Sequence, residues 1–124
     1  TGLSWQDLQL VDTARVYIDF MKQNGYTHAV APYWYATVMM ELTDAELTVA
    51  PLNLGEWDGS TVLTVYAWGT SRTAFAAENL PPKLVVFVSE SDRARFEQAF
   101  PQLSPVFEYQ HTRAYEITPD DLWH

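Results

Sequence analysis

Apolar positions change their period along this chain, and each change predicts a new element. Leu8, Val11, Ala14, Ile18 and Met21 stand three or four apart, the stripe of an amphipathic helix. Ser4 followed by Asp7 reads as a capping-box start with Asp in place of Glu, and Asn24-Gly25 as the stop, so a helix is predicted over residues 5–23. Thr27 to Ala31 is a short apolar run that ends at Pro32 and fits a buried strand. From Tyr33 the helical period returns, with Trp34, Val38 and Leu42 at steps of four and Pro32 tolerated at the helix start. Glu46 to Leu52 ("ELTVAPL") is strand-like again. Strand, helix, strand is a βαβ unit, whose strands run parallel through a right-handed crossover.

Asn53 to Ser60 ("NLGEWDGS") reads as a loop, with two glycines and two acids around Trp57. Thr61 to Tyr66 follows as a strand, and Trp68 to Asn79 as a loop that closes in a short helix. Pro81-Pro82 forces an extended lead into Lys83 to Ser89, which is apolar on both faces and therefore expected at the sheet centre. Ser89 and Asp92 read as a cap before a helix over Arg93 to Phe100, stopped by Pro101. "VFEYQ" and "RAYEI" read as strands around a turn at His111-Thr112, which lacks the Asn-Gly chemistry of favoured two-residue hairpins. The expected fold class is α/β: a single domain over residues 1–124, with a central mixed sheet of about five strands, a βαβ unit and flanking helices. There is no repeat, low-complexity tract or internal linker.

Composition narrows the partners. A chain of 124 residues is one domain, and it buries enough surface to fold without metal or disulfide. Its five tryptophans are unusual; each can bury about 150–250 Å², so an exposed one needs a reason. The formal charge is −9, and the seven basic residues are scattered. Nucleic acids and anionic lipids, which are held by cationic side chains, are therefore poor partners. Neutral, cationic and hydroxyl-rich partners remain open. The absence of cysteine excludes thiol catalysis, disulfides and thiolate zinc sites. Ala29 to Met40 is the longest mostly apolar stretch, short of the ~20 residues that cross a bilayer. The chain begins at Thr1 without an initiator methionine, which points to excision from a longer protein.

Catalytic signatures are missing: no glycine-rich phosphate loop, no Gly-x-Ser-x-Gly elbow and no His-Glu-x-x-His helix occur. His28, His111 and His124 are scattered, and His28, beside Tyr26, reads as a hydrogen-bonded structural histidine. Acids come in pairs at Asp44 and Glu46, Glu56 and Asp58, Glu90 and Asp92, and Asp120 and Asp121. All lie in predicted turns, caps or the tail, where they solvate the surface. Glu56-Trp57-Asp58 is the pair to keep, because an aromatic flanked by acids on a glycine loop can face a sugar hydroxyl. Ser71-Arg72-Thr73, framed by Trp68 and Phe75, reads as a helix cap with a solvated arginine, with a ligand clamp as its alternative. No catalytic residue, metal or cofactor is expected.

Three features together resemble a known family: "APYWYATVMMELT" running into "AELTVAPL", then "WGTSRTAF" with Trp68, Ser71 and Phe75 at fixed spacing, then a strand, a helix ending at Phe100-Pro101 and a final strand rich in Tyr and Ile. Over residues 25–118 this order is similar to the C-terminal extracytoplasmic region of bacterial multi-spanning glycosyltransferases, the membrane-embedded, protein-mannosyltransferase-like enzymes that use lipid-linked sugars. One departure is Thr43-Asp44-Ala45-Glu46, where the family often has a Ser-Asp-Gly type turn. The family's catalytic acids lie in an early loop between membrane spans that has no counterpart here. The resemblance therefore implies a soluble, non-catalytic accessory domain on the periplasmic or extracellular face. Its partners would be the rest of a transmembrane parent chain and a glycan or polypeptide acceptor, not nucleic acid. The alternative is a free-standing sugar- or small-molecule-binding domain; an independent enzyme is the weakest reading. Trp34, on the stripe with Val38 and Leu42, is expected in the core. Tyr33 and Tyr35 point elsewhere, at the carboxyl end of a parallel strand where open α/β sheets bind ligands. The binding residues expected are Tyr33, Tyr35, Trp57 and Trp68, with Arg72 as a polar handle.

Overall fold

The sheet is organised around the strand that the sequence makes apolar on both faces. In a computed structural model describing residues 5–43, 46–65 and 75–122, all five residues of this strand, β4 (Leu84–Val88), are buried. The other strands are β1 (His28–Ala31), β2 (Thr48–Trp57), β3 (Ser60–Val65), β5 (Pro105–Tyr109) and β6 (Thr112–Ile117). Their spatial order is β3-β2-β1-β4-β6-β5. β1 pairs parallel with both β2 and β4, whereas β3, β5 and β6 join antiparallel, so the sheet is mixed. The fold is the expected single α/β domain, with six strands and three α-helices among the described residues. Ser4, Asp44, Tyr66, Trp68, Ser71, Arg72, Thr73 and His124 lie outside those residues.

Helices cover both faces of the sheet, which is why β4 has no polar side. α1 (Trp5–Asn24) and α2 (Tyr33–Leu42) pack on one face, against Ala29, Ala31, Val49, Val85, Phe87 and Ala114. α3 (Glu90–Ala99) lies on the other, where Phe96 meets Val30, Leu84, Val86, Val88, Tyr115 and Ile117. Alternate residues of each strand thus feed two separate cores. α1 ends as its Asn24-Gly25 pair predicts: Gly25 takes φ 75°, and the Tyr26 N–H donates to the Met21 carbonyl at 2.9 Å, the long bond of a Schellman stop. Its buried face is wider than the predicted stripe, adding Thr13, Tyr17 and Phe20 to Ala14, Ile18 and Met21. Among the described residues no helix is long and apolar enough to cross a membrane.

Four local expectations are corrected. Trp34 is 67% exposed and does not enter the core. Thr37 and Glu41 mark one exposed line of "YWYATVMMEL", but its other stripes are apolar, so periodicity alone cannot choose which of them faces inward. Ala36 and Met39 turn inward instead, into the core that also holds Ala29, Ala31 and Val49, and at 3.6 residues per turn Trp34 lies about 200° round the helix from Ala36. Asn53 to Ser60 is not a loop but the end of β2, a tight turn and the start of β3. Beyond Pro51, β2 leaves β1 and pairs with β3 from Leu52↔Val65 to Trp57↔Ser60. Asp58 and Gly59 close that ribbon with φ 52° and 79°, the doubly left-handed geometry that an Asp-Gly pair favours. Ser89 occupies the predicted N-cap position of α3, but its hydroxyl bonds to Ser91 Oγ at 3.1 Å and does not cap the backbone. The last hairpin turns at Gln110-His111, with Thr112 already paired to Tyr109.

Candidate functional site

The described residues build one groove in which aromatic and planar polar side chains converge. α1 supplies Gln9, Asp12 and Thr13, spaced so that they share one helix face, together with Leu10. The first turn of α2 supplies Tyr35, and the end of β5 supplies Tyr109, with Gln110 from the following turn. The volume is about 350 Å³, within the range of small-molecule sites. Among the described residues of this lining Asp12 is the sole formally charged one, and it enters none of the ion pairs that the described residues form.

Tyr17 lies beside these walls and is 1% exposed. Its ring stacks on Phe87 at 4.4 Å and meets the Tyr35 ring edge-on at 5.3 Å. Tyr35 is thereby held against a fixed core residue, so this wall is in place before any ligand arrives. The Tyr17 hydroxyl approaches Thr112 without completing a hydrogen bond, and among the described residues it has no other partner. Burial pushes its pKa up to about 12, with Tyr35 and Tyr109 adding to the rise. A buried hydroxyl without a partner is costly, and such groups concentrate where structure serves something besides stability.

The sequence-predicted residues are dispersed around this groove. Tyr35 lines it. Tyr33 and Trp34 form an exposed edge-to-face pair at 5.5 Å where α2 begins, Tyr33 being 52% exposed. Trp57, 62% exposed, sits at the far end of β2 on the β2–β3 ribbon. A second, polar groove of about 450 Å³ runs between that ribbon and α3, lined by Glu56, Gly59, Ser60, Thr61, Gln98 and Ala99. Strand alternation puts Trp57 on the opposite side of the ribbon from Glu56, so the acid and the aromatic do not face one ligand together. Trp68 and Arg72 lie outside the described residues. Asp12, Thr13, Tyr17, Tyr109 and Gln110 were not foreseen as site residues; the signal available for Thr13 and Tyr17 was their place on the buried side of α1.

Other polar groups are engaged in structure. Glu97 Oε1 accepts hydrogen bonds from the Tyr115 hydroxyl at 2.8 Å and from Arg113 Nη1 at 3.0 Å, while Arg113 Nε donates to Glu108 Oε2 at 2.8 Å. This network ties α3 to β6 and β5. His28 Nδ1 lies 2.8 Å from Thr27 Oγ1, and its ring meets Phe75 edge-on. Asp121 Oδ2 accepts from the Thr118 N–H at 2.9 Å. Among the described residues no cluster of three or more His, Asp or Glu could hold a metal ion. No family model matches the chain, and no curated protein or solved structure shows significant similarity to it.

Proposed function

We propose that this chain is a ligand-binding domain without catalysis of its own, which holds a small hydroxylated ligand of the saccharide class in the Tyr35–Tyr109 groove. One observation carries the reading: two tyrosine rings share a groove with the flat polar groups of Gln9, Asp12 and Gln110. The C–H face of a sugar ring packs on an aromatic ring, and its hydroxyls both donate to carboxylate oxygens and accept from amide N–H groups. Chemistry on the ligand finds little support, since Tyr17, with its pKa near 12, is a poor acid or base at neutral pH. In the setting implied by the aromatic motifs, the domain stands on the extracytoplasmic face of a multi-spanning glycosyltransferase-like protein and positions a glycan or polypeptide acceptor.

The test is an amide NMR titration of the purified domain with a panel of methyl glycosides. Saturable shifts confined to the groove residues, with millimolar affinity and loss of binding in Tyr109→Ala, are expected. No saturable shift with any glycoside would refute the saccharide reading of the groove, and shifts centred on the Trp57 ribbon would refute the groove as the place where a glycoside binds.

A further inference from the structure

Among the described residues of the groove lining Asp12 supplies the one formal charge, and no lysine or arginine among them opposes it. Arg15, three positions further along α1, is not part of that lining. A neutral ligand can donate charge-assisted hydrogen bonds to this carboxylate but leaves its charge uncompensated, and an anionic one is repelled by it. The two aromatic walls add a second preference of the same sign, because the face of a tyrosine ring is electron-rich and attracts cations. The chain's net charge of −9 raises the local concentration of cations near any such cleft. Tyr35, braced by Tyr17 and through it by Phe87, offers its ring without a cost of ordering.

We propose that the groove takes an organic ammonium group on a hydroxylated body, with the cation against the Tyr35 and Tyr109 rings and Asp12 as its counter-charge. This rests on the reading of the groove as a ligand site and specifies what that ligand carries. Aromatic walls with a single carboxylate suit an alkylated ammonium in particular. Such a cation is large and weakly hydrated, and it gives up its water readily to a ring face.

The experiment compares three probes by amide NMR and calorimetry on the intact chain: choline, its neutral isostere in which carbon replaces nitrogen, and a methyl glycoside. Choline and its isostere share size and hydroxyl and differ in charge alone. Choline is expected to bind about tenfold more tightly than the isostere, with shifts at Asp12, Tyr35 and Tyr109. Asp12→Asn, an exposed substitution, should keep the native amide spectrum and remove most of that difference, and Tyr109→Leu should reduce it further. Equal affinity for choline and the isostere, or binding of the glycoside alone, overturns the ammonium proposal and leaves the groove a ligand site. Silence from all three probes removes both.

Discussion

Tyr17→Phe separates a merely aromatic core from one that carries an unmet polar group. The substitution deletes one oxygen and keeps the ring that stacks on Phe87 at 4.4 Å and touches Tyr35 at 5.3 Å. Packing is therefore conserved, and the change reports on the hydroxyl alone. Among the described residues that hydroxyl is buried without a completed hydrogen bond, a situation that costs about 1–3 kcal/mol. Its approach to Thr112 recovers part of this, so Tyr17→Phe is expected to stabilise the domain by about 1 kcal/mol, or about 3–5 °C in Tm for a chain of this size. Tyr115→Phe is the control: its hydroxyl donates to Glu97 at 2.8 Å, and losing a bond to a charged group costs about 1.5–3 kcal/mol. Urea melts of the two variants, at unchanged m-value, measure both effects. If Tyr17→Phe destabilises the domain as much as Tyr115→Phe does, the hydroxyl is bonded after all and the groove has no polar group left unmet beneath it.

Two further outcomes follow from burial. Trp34→Ala should change stability by less than about 0.5 kcal/mol, as exposed substitutions do, whereas Tyr35→Ala should cost about 1–2 kcal/mol through its lost contact with Tyr17; denaturant melts that rank them the other way would return Trp34 to the core. Stability should also fall in alkali. Burial raises Tyr17, and burial with the Glu116 hydrogen bond raises Tyr26, each from 10.0 to about 12. Both therefore ionise more readily in the unfolded chain, and stability, intact below pH 10, should be lost as pH rises through 10 toward 12. A urea midpoint that stays flat across this window, or falls as steeply in Tyr17→Phe, would contradict it.

Where residues near in sequence set the outcome, the sequence alone was enough. α1 followed from its period and from Asn24-Gly25, because a helix stop is local backbone chemistry. β4 followed from five consecutive apolar residues, since only a strand covered on both faces tolerates them. The parallel β1–β2 pair followed from strand, helix and strand in short succession. The β2–β3 ribbon was equally legible in Asp58-Gly59, yet the polar residues and second glycine around that turn read as loop, because apolar pairs such as Leu54↔Leu63 begin only some residues away from it. Tertiary structure decided the rest. It turned Ala36 and Met39 of α2 into the core that holds Ala29, Ala31 and Val49, leaving Trp34 outside, because a helix with several apolar stripes takes its orientation from the shape beneath it. The groove, too, exists only in three dimensions. Asp12, Tyr35 and Tyr109 belong to three separate elements, and their convergence depends on how α1, α2 and the β5–β6 turn dock around one another, a long-range packing outcome that no local pattern encodes.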